Sequence, residues 1–101
     1  MLIGELVYLR GLTPSQLGYH LRNILSRIGI EIEGESITAY YMKDEDAYRI
    51  SVCKGVVYPE ECIPVLYIRR DFIENICNRY PELSFSCERA LQPYEREVVE
   101  V

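Results

Sequence analysis

Between Thr13 and Gly29 the apolar residues Leu17, Leu21, Ile24, Leu25 and Ile28 recur at helical spacing, one stripe along a segment that is otherwise mostly polar. The segment carries its own punctuation. Thr13 offers a capping hydroxyl, Pro14 suits the first helical position, Gln16 can complete a capping box, and Gly29 can end the helix in a left-handed conformation. The pattern predicts a helix over residues 13–29 whose stripe lies against another layer.

On either side the period falls to two. Residues 2–10 are rich in branched and aromatic groups and stop at Gly11 and Thr13-Pro14, which predicts a first strand. Ile30 to Met42 alternates, with Gly34 as a bulge or bend inside a long second strand, and Ala47 to Val57 resumes with Tyr48, Ile50 and Val52 on one face. Lys43-Asp44-Glu45-Asp46 has no apolar member, so the two runs make an antiparallel hairpin. Residues 58–70 leave two readings open: Tyr58-Pro59-Glu60-Glu61 suits a helix start, whereas Val65 to Ile68 suits a strand. Over 71–80 a second helix is predicted, capped by Asp71 with Glu74 three residues on and stopped by Pro81. Leu83 to Leu91 alternates as a final strand.

The resulting order is β-α-β-β-α-β. The fold class is α/β in the α+β sense: a mixed or antiparallel single-layer sheet with both helices on one face, a ferredoxin-like arrangement with the other face open. Residues 1–91 form one domain and 92–101 an acidic tail. At 101 residues and 49% hydrophobic, the chain is long enough to close one core.

Charge changes this picture in one respect. Residues 1–29 are net +2 and residues 30–101 net −7, so a basic face for nucleic acid exists only on the first helix. No apolar run is long enough for a membrane helix and the N-terminus lacks a signal-peptide pattern, which makes the cytoplasm the expected compartment. Nine arginines against two lysines, with many Ile and Glu, suggest a thermophilic source. Cys53, Cys62, Cys77 and Cys87 show no Cys-x-x-Cys spacing and allow three pairings, so buried thiols or one or two bridges are expected and not zinc.

Candidate chemistry is sparse. His20 is the only imidazole and lacks a nearby acid in sequence, so no nucleophile, base and orienter can be named together. Asp44, Glu45 and Asp46 fit no cation loop, and Arg69-Arg70-Asp71 at a helix start reads as a surface ion pair. No cofactor or metal is expected. Tyr8, Tyr40, Tyr41 and Tyr48 can set aromatic groups on the open sheet face; because residues 30–57 are net −3, that face suits a protein interface better than RNA.

One alternative concerns the first half of the chain. Glu5-Leu6 through Gly11-Leu12-Thr13-Pro14-Ser15-Gln16-Leu17 and on to Tyr19-His20-Leu21-Arg22 resembles the turn and recognition helix of winged-helix repressors, with the following hairpin as the wing. That resemblance implies DNA binding, with Ser15, Gln16, Tyr19 and Arg22 toward the major groove and Arg27 and Lys43 near phosphate. Two functions therefore stand as expectations. One is a non-catalytic interaction or regulatory protein that self-associates as a homodimer through its sheet; the other is a DNA-binding regulator. Whether residues 2–10 are strand or helix separates them.

Overall fold

The computed structural model describes residues 6–7, 12–34, 36–54 and 61–91. Within them the elements run β1 (Leu6–Val7), α1 (Pro14–Arg27), β2 (Ser36–Met42), β3 (Ala47–Lys54), β4 (Glu61–Arg69), α2 (Arg70–Arg79), a single 3-10 turn (Pro81–Leu83) and α3 (Ser84–Ala90). The class is α+β, as the pattern implies.

α1 forms for the reasons its sequence supplies. The Gln16 N–H donates to Thr13 Oγ1 at 3.2 Å and the Thr13 N–H to Gln16 Oε1 at 3.0 Å, a reciprocal capping box behind Pro14. At the other end Gly29 takes φ +89°, and the Gly29 and Ile30 N–H groups return to the Ser26 and Leu25 carbonyls. That pair of bonds is a Schellman stop, which places glycine where a side chain would be strained.

The sheet has the order β1-β2-β3-β4, every neighbouring pair antiparallel. This differs from the ferredoxin-like order. There a helical crossover links parallel strands; here α1 joins β1 to its own antiparallel neighbour, with Leu6 opposite Met42 and Val7 opposite Tyr41. β2, β3 and β4 then follow as a plain meander. The strand at Leu6–Val7 also stands where a helix-turn-helix needs its first helix, which removes the structural basis of the winged-helix resemblance.

Of the two readings open for residues 58–70, the strand holds over 61–69. Two local expectations are corrected. β2 begins at Ser36 instead of Ile30. Leu83 to Leu91 is no strand: after the 3-10 turn it is α3. The reason is legible afterwards. LSFSCERAL has no β-branched residue, and Leu83, Cys87, Ala90 and Leu91 sit at i, i+4, i+7 and i+8, a helical face that packs into the core.

All three helices contribute to one core on one face of the sheet. Leu17, Leu21, Ile24 and Leu25 of α1 meet Ile37, Ala39 and Tyr41 of β2, Tyr48 and Ile50 of β3, Ile68 of β4, Ile73 and Ile76 of α2, and Cys87 and Ala90 of α3. Each large aliphatic group buried there contributes about 1.5–3 kcal/mol before ordering costs. α1 lies unusually near β2 because residue 18 is glycine: a Cβ there would sit 2.7 Å from the Ile37 carbonyl oxygen.

Candidate interaction surface

Alternation decides which side chains reach the face opposite the helices. Ile37, Ala39 and Tyr41 point to the core, so Thr38, Tyr40 and Met42 point away; on β3 Tyr48 and Ile50 point in and Arg49 points out. A bulge between the pairs Ile50–Leu66 and Ser51–Pro64 gives β4 one extra residue, Val65, and Tyr67 then lies opposite Arg49. The result is one cross-strand row on the face opposite the helices: Tyr40, Arg49, Tyr67.

Arg49 occupies the middle of that row on an interior strand. Its guanidinium lies 5.7 Å from the centroid of the Tyr40 ring, a cation–π contact. Its Nε is fully enclosed yet has no hydrogen-bond partner, the one such side-chain atom among the described residues. A buried donor left unmet costs about 1–3 kcal/mol, so this arrangement is a local deficit that a ligand can relieve.

β4 forms the margin of the described sheet, and its side chains are poorly covered. Ile63, Val65 and Tyr67 are 62%, 48% and 55% exposed: Tyr67 on the side of Arg49, Ile63 opposite Val52 on the helix side, and Val65 at the bulge between them. The backbone beside them is blunted. Pro64 carries no N–H and the bulge at Val65 interrupts regular pairing, both ways in which sheet edges avoid open-ended strand addition.

The four tyrosines expected at an interface part company. Tyr40 is on the face opposite the helices, but Tyr41 and Tyr48 are core residues; Tyr8 lies outside the described residues. Tyr48 is fully buried and donates its hydroxyl to the Ala90 carbonyl at 2.6 Å, and burial raises its pKa far enough to keep it protonated. Tyr41 donates to Asp46. Tyr67, within the stretch 58–70 that pattern leaves open between helix and strand, belongs to the surface instead.

Of the DNA contacts that the resemblance implies, Gln16 serves the helix cap, Arg27 bonds Glu82 at 3.0 Å and lies 4.2 Å over the Tyr80 ring, and Lys43 is in the β2–β3 turn. Tyr19 and Arg22 remain exposed on α1. Arg69 pairs with Asp71 at 3.5 Å, and Arg70 with Glu74 at 3.9 Å and with the Leu91 carbonyl, so neither arginine waits for a phosphate.

His20 is buried, and its Nδ1 lies 3.0 Å from Ser86 Oγ with the Phe85 ring edge-on at 5.5 Å. The pair ties α1 to α3. Burial first, and the Arg89 charge second, lower the His20 pKa below its ordinary 6.5. The unfolded chain therefore binds the proton more readily than the native one, and stability present above pH 6.5 declines as pH falls below it toward the native value. Urea midpoints should drop between pH 7.5 and 5.5, and His20→Asn should flatten that slope; an equal slope in both proteins would contradict the assignment.

The cysteines are all paired: Cys53 with Cys62 across β3 and β4, and Cys77 of α2 with Cys87 of α3. Among the described residues no group of three or more His, Cys, Asp or Glu is placed to hold a metal ion, and no helix is long and apolar enough to cross a membrane.

Comparison with protein-family models, curated proteins and solved structures finds no significant match to this chain.

Proposed function

We propose that this protein is a small non-catalytic interaction module that associates with a second copy of itself through the β4 margin of its sheet. The observation that carries the reading is the exposed trio Ile63, Val65 and Tyr67 on a strand whose main chain is blunted by Pro64 and a bulge. Side-chain packing, in preference to strand addition, then drives the contact. A contact between the same strand margin of two copies is closed by a two-fold axis, so it gives a dimer and not a filament. Burying those three groups removes apolar surface from water at about 25 cal/mol per Å², enough to matter against the cost of association only if they pack together.

DNA binding by α1 has less behind it, since Gln16 and Arg27 are engaged within the chain. Our reading keeps the cytoplasm as the compartment in the setting the arginine-rich composition suggests, because intracellular proteins of hyperthermophiles retain disulfides.

Light scattering after gel filtration tests the proposal. The protein is expected to run as a dimer at high concentration, and Val65→Lys, which places a charge in the middle of that margin, to shift it to monomer while it stays folded by circular dichroism. A wild-type monomer at all accessible concentrations overturns the reading.

A further inference from the structure

We infer that the Cys53–Cys62 bridge is a site of thiol–disulfide exchange, at which the thiolate of a small thiol attacks the sulfur of Cys62 and Cys53 is the leaving group. The two ends of this bridge differ in access. Cys53 is 1% exposed, on a strand with neighbours on both sides, whereas Cys62 is exposed on β4 at the margin of the described sheet. The other bridge offers no such end: Cys87 is buried, and Cys77, half-buried, packs against the core. Exchange requires a thiolate to reach one of the two sulfurs, so access selects both the bridge and the sulfur attacked.

The leaving side is prepared as well. Thr38 Oγ1 lies 3.8 Å from Cys53 Sγ, and since a bridged sulfur carries no proton, the hydroxyl is the donor. As the S–S bond breaks, its electron pair goes to Cys53 Sγ, and the hydrogen bond then meets a growing negative charge, a stronger acceptor than the neutral sulfur. No oxidant is needed for this step. The incoming thiolate and the bridge give a mixed disulfide on Cys62 and a Cys53 thiolate, which takes up the proton that the small thiol lost. A second small thiol, attacking the outer sulfur of the mixed disulfide, releases the Cys62 thiolate and departs as the small-molecule disulfide, so the protein gains two electrons and two protons. The fold tolerates the opened bridge. Val52 stays opposite Ile63 and Lys54 opposite Glu61, so the β3–β4 ladder continues on both sides of the two cysteines. Opening Cys77–Cys87 instead unfastens the seven-residue α3.

The test treats the oxidised full chain with reduced glutathione under native conditions, quenches with acid at intervals, alkylates the thiols and locates them by peptide mass spectrometry. Cys53 and Cys62 are expected to become alkylated about tenfold faster or more than Cys77 and Cys87, while circular dichroism stays that of the folded chain. Thr38→Val should slow the opening of Cys53–Cys62 and leave the Cys77–Cys87 rate as it was, which general loosening of the sheet would not do. The sulfur attacked is read from two further variants: oxidised glutathione should load Cys62 in Cys53→Ser about tenfold faster or more than it loads Cys53 in Cys62→Ser. Equal rates for the two bridges, prior opening of Cys77–Cys87, or faster loading of Cys53 overturns the proposal. The wild-type comparison of bridges stands even if a variant does not fold. Val65→Lys treated in parallel should show the same order of opening, because the preference belongs to a single chain; loss of the dimer and loss of the exchange are thereby read separately.

Discussion

Reduction of both disulfides is expected to lower the thermal midpoint by about 20 °C or more. The bridges span sequence separations of 9 and 10. Chain-entropy arithmetic for loops of that size gives on the order of 2.5 kcal/mol each, and a domain of this length has a net stability of only about 5–15 kcal/mol. At about 4–8 °C per kcal/mol, the pair then decides whether the fold survives moderate heat. Placement makes the two unequal. Cys53 and Cys62 join strands that the ladder already holds together, with Cα atoms 4.0 Å apart. Cys77 and Cys87 fasten α3, a helix of seven residues, too short to persist alone. The double variant Cys77→Ser with Cys87→Ser should therefore lose more than Cys53→Ser with Cys62→Ser in scanning calorimetry. An unchanged midpoint after all four thiols are shown to be free would contradict the estimate.

Gly18→Val is expected to be among the most damaging single substitutions, at about 3 kcal/mol or more. Its mildest relative shows why. Gly18→Ala gains about 1 kcal/mol of helix propensity, which alone would stabilise. Against it stands a Cβ placed 2.7 Å from the Ile37 carbonyl oxygen and 3.1 Å from its carbon. That obstacle is backbone inside a paired strand, so it cannot rotate aside as a flexible side chain would. Overpacking of this kind costs about 1–3 kcal/mol, and the balance falls on destabilisation. Valine adds two methyl groups and a β-branch to the same clash. Gly29→Ala is the useful comparison: nothing lies within 4 Å of its Cβ position, but φ +89° strains any L side chain. Urea unfolding of the three variants should rank Gly18→Val as worst; a neutral Gly18→Ala would mean that α1 lifts from β2 at little cost.

The parts of the fold that could be read in advance are those fixed by neighbours in sequence. The helix 13–29 is one, since its cap, stripe and stop are all local, and the hairpin 36–54 is another, since alternation and a polar turn define it. α3 escaped because Ser84 and Ser86 give a two-residue alternation that coexists with a helical face, and only contact with Cys77, His20 and Tyr48 decides between them. Strand order escaped for a related reason: periodicity says which face is buried but not which strand lies beside which. The surface was legible in half. Alternation alone assigns Tyr41 and Tyr48 to the core face, so the sequence contained the means to remove them from an interface. Tyr67 could not be placed until the bulge at Val65 was known, because one extra residue exchanges the two faces of everything that follows.

The attachments of α3 bear on how the chain assembles in time. Ser86 meets His20 across 66 positions, Ala90 meets Tyr48 across 42, and Leu91 meets Arg70 across 21. A seven-residue helix gains nothing from such distant partners until α1 and the sheet are already in place, while the entropy of closing those loops is due at once. β2, β3 and β4, joined by neighbouring contacts, and α1, with its local caps, are free to condense earlier. Oxidation should record that order: the Cys53–Cys62 bridge belongs to the early hairpin, and the Cys77–Cys87 bridge closes late, when the last helix arrives.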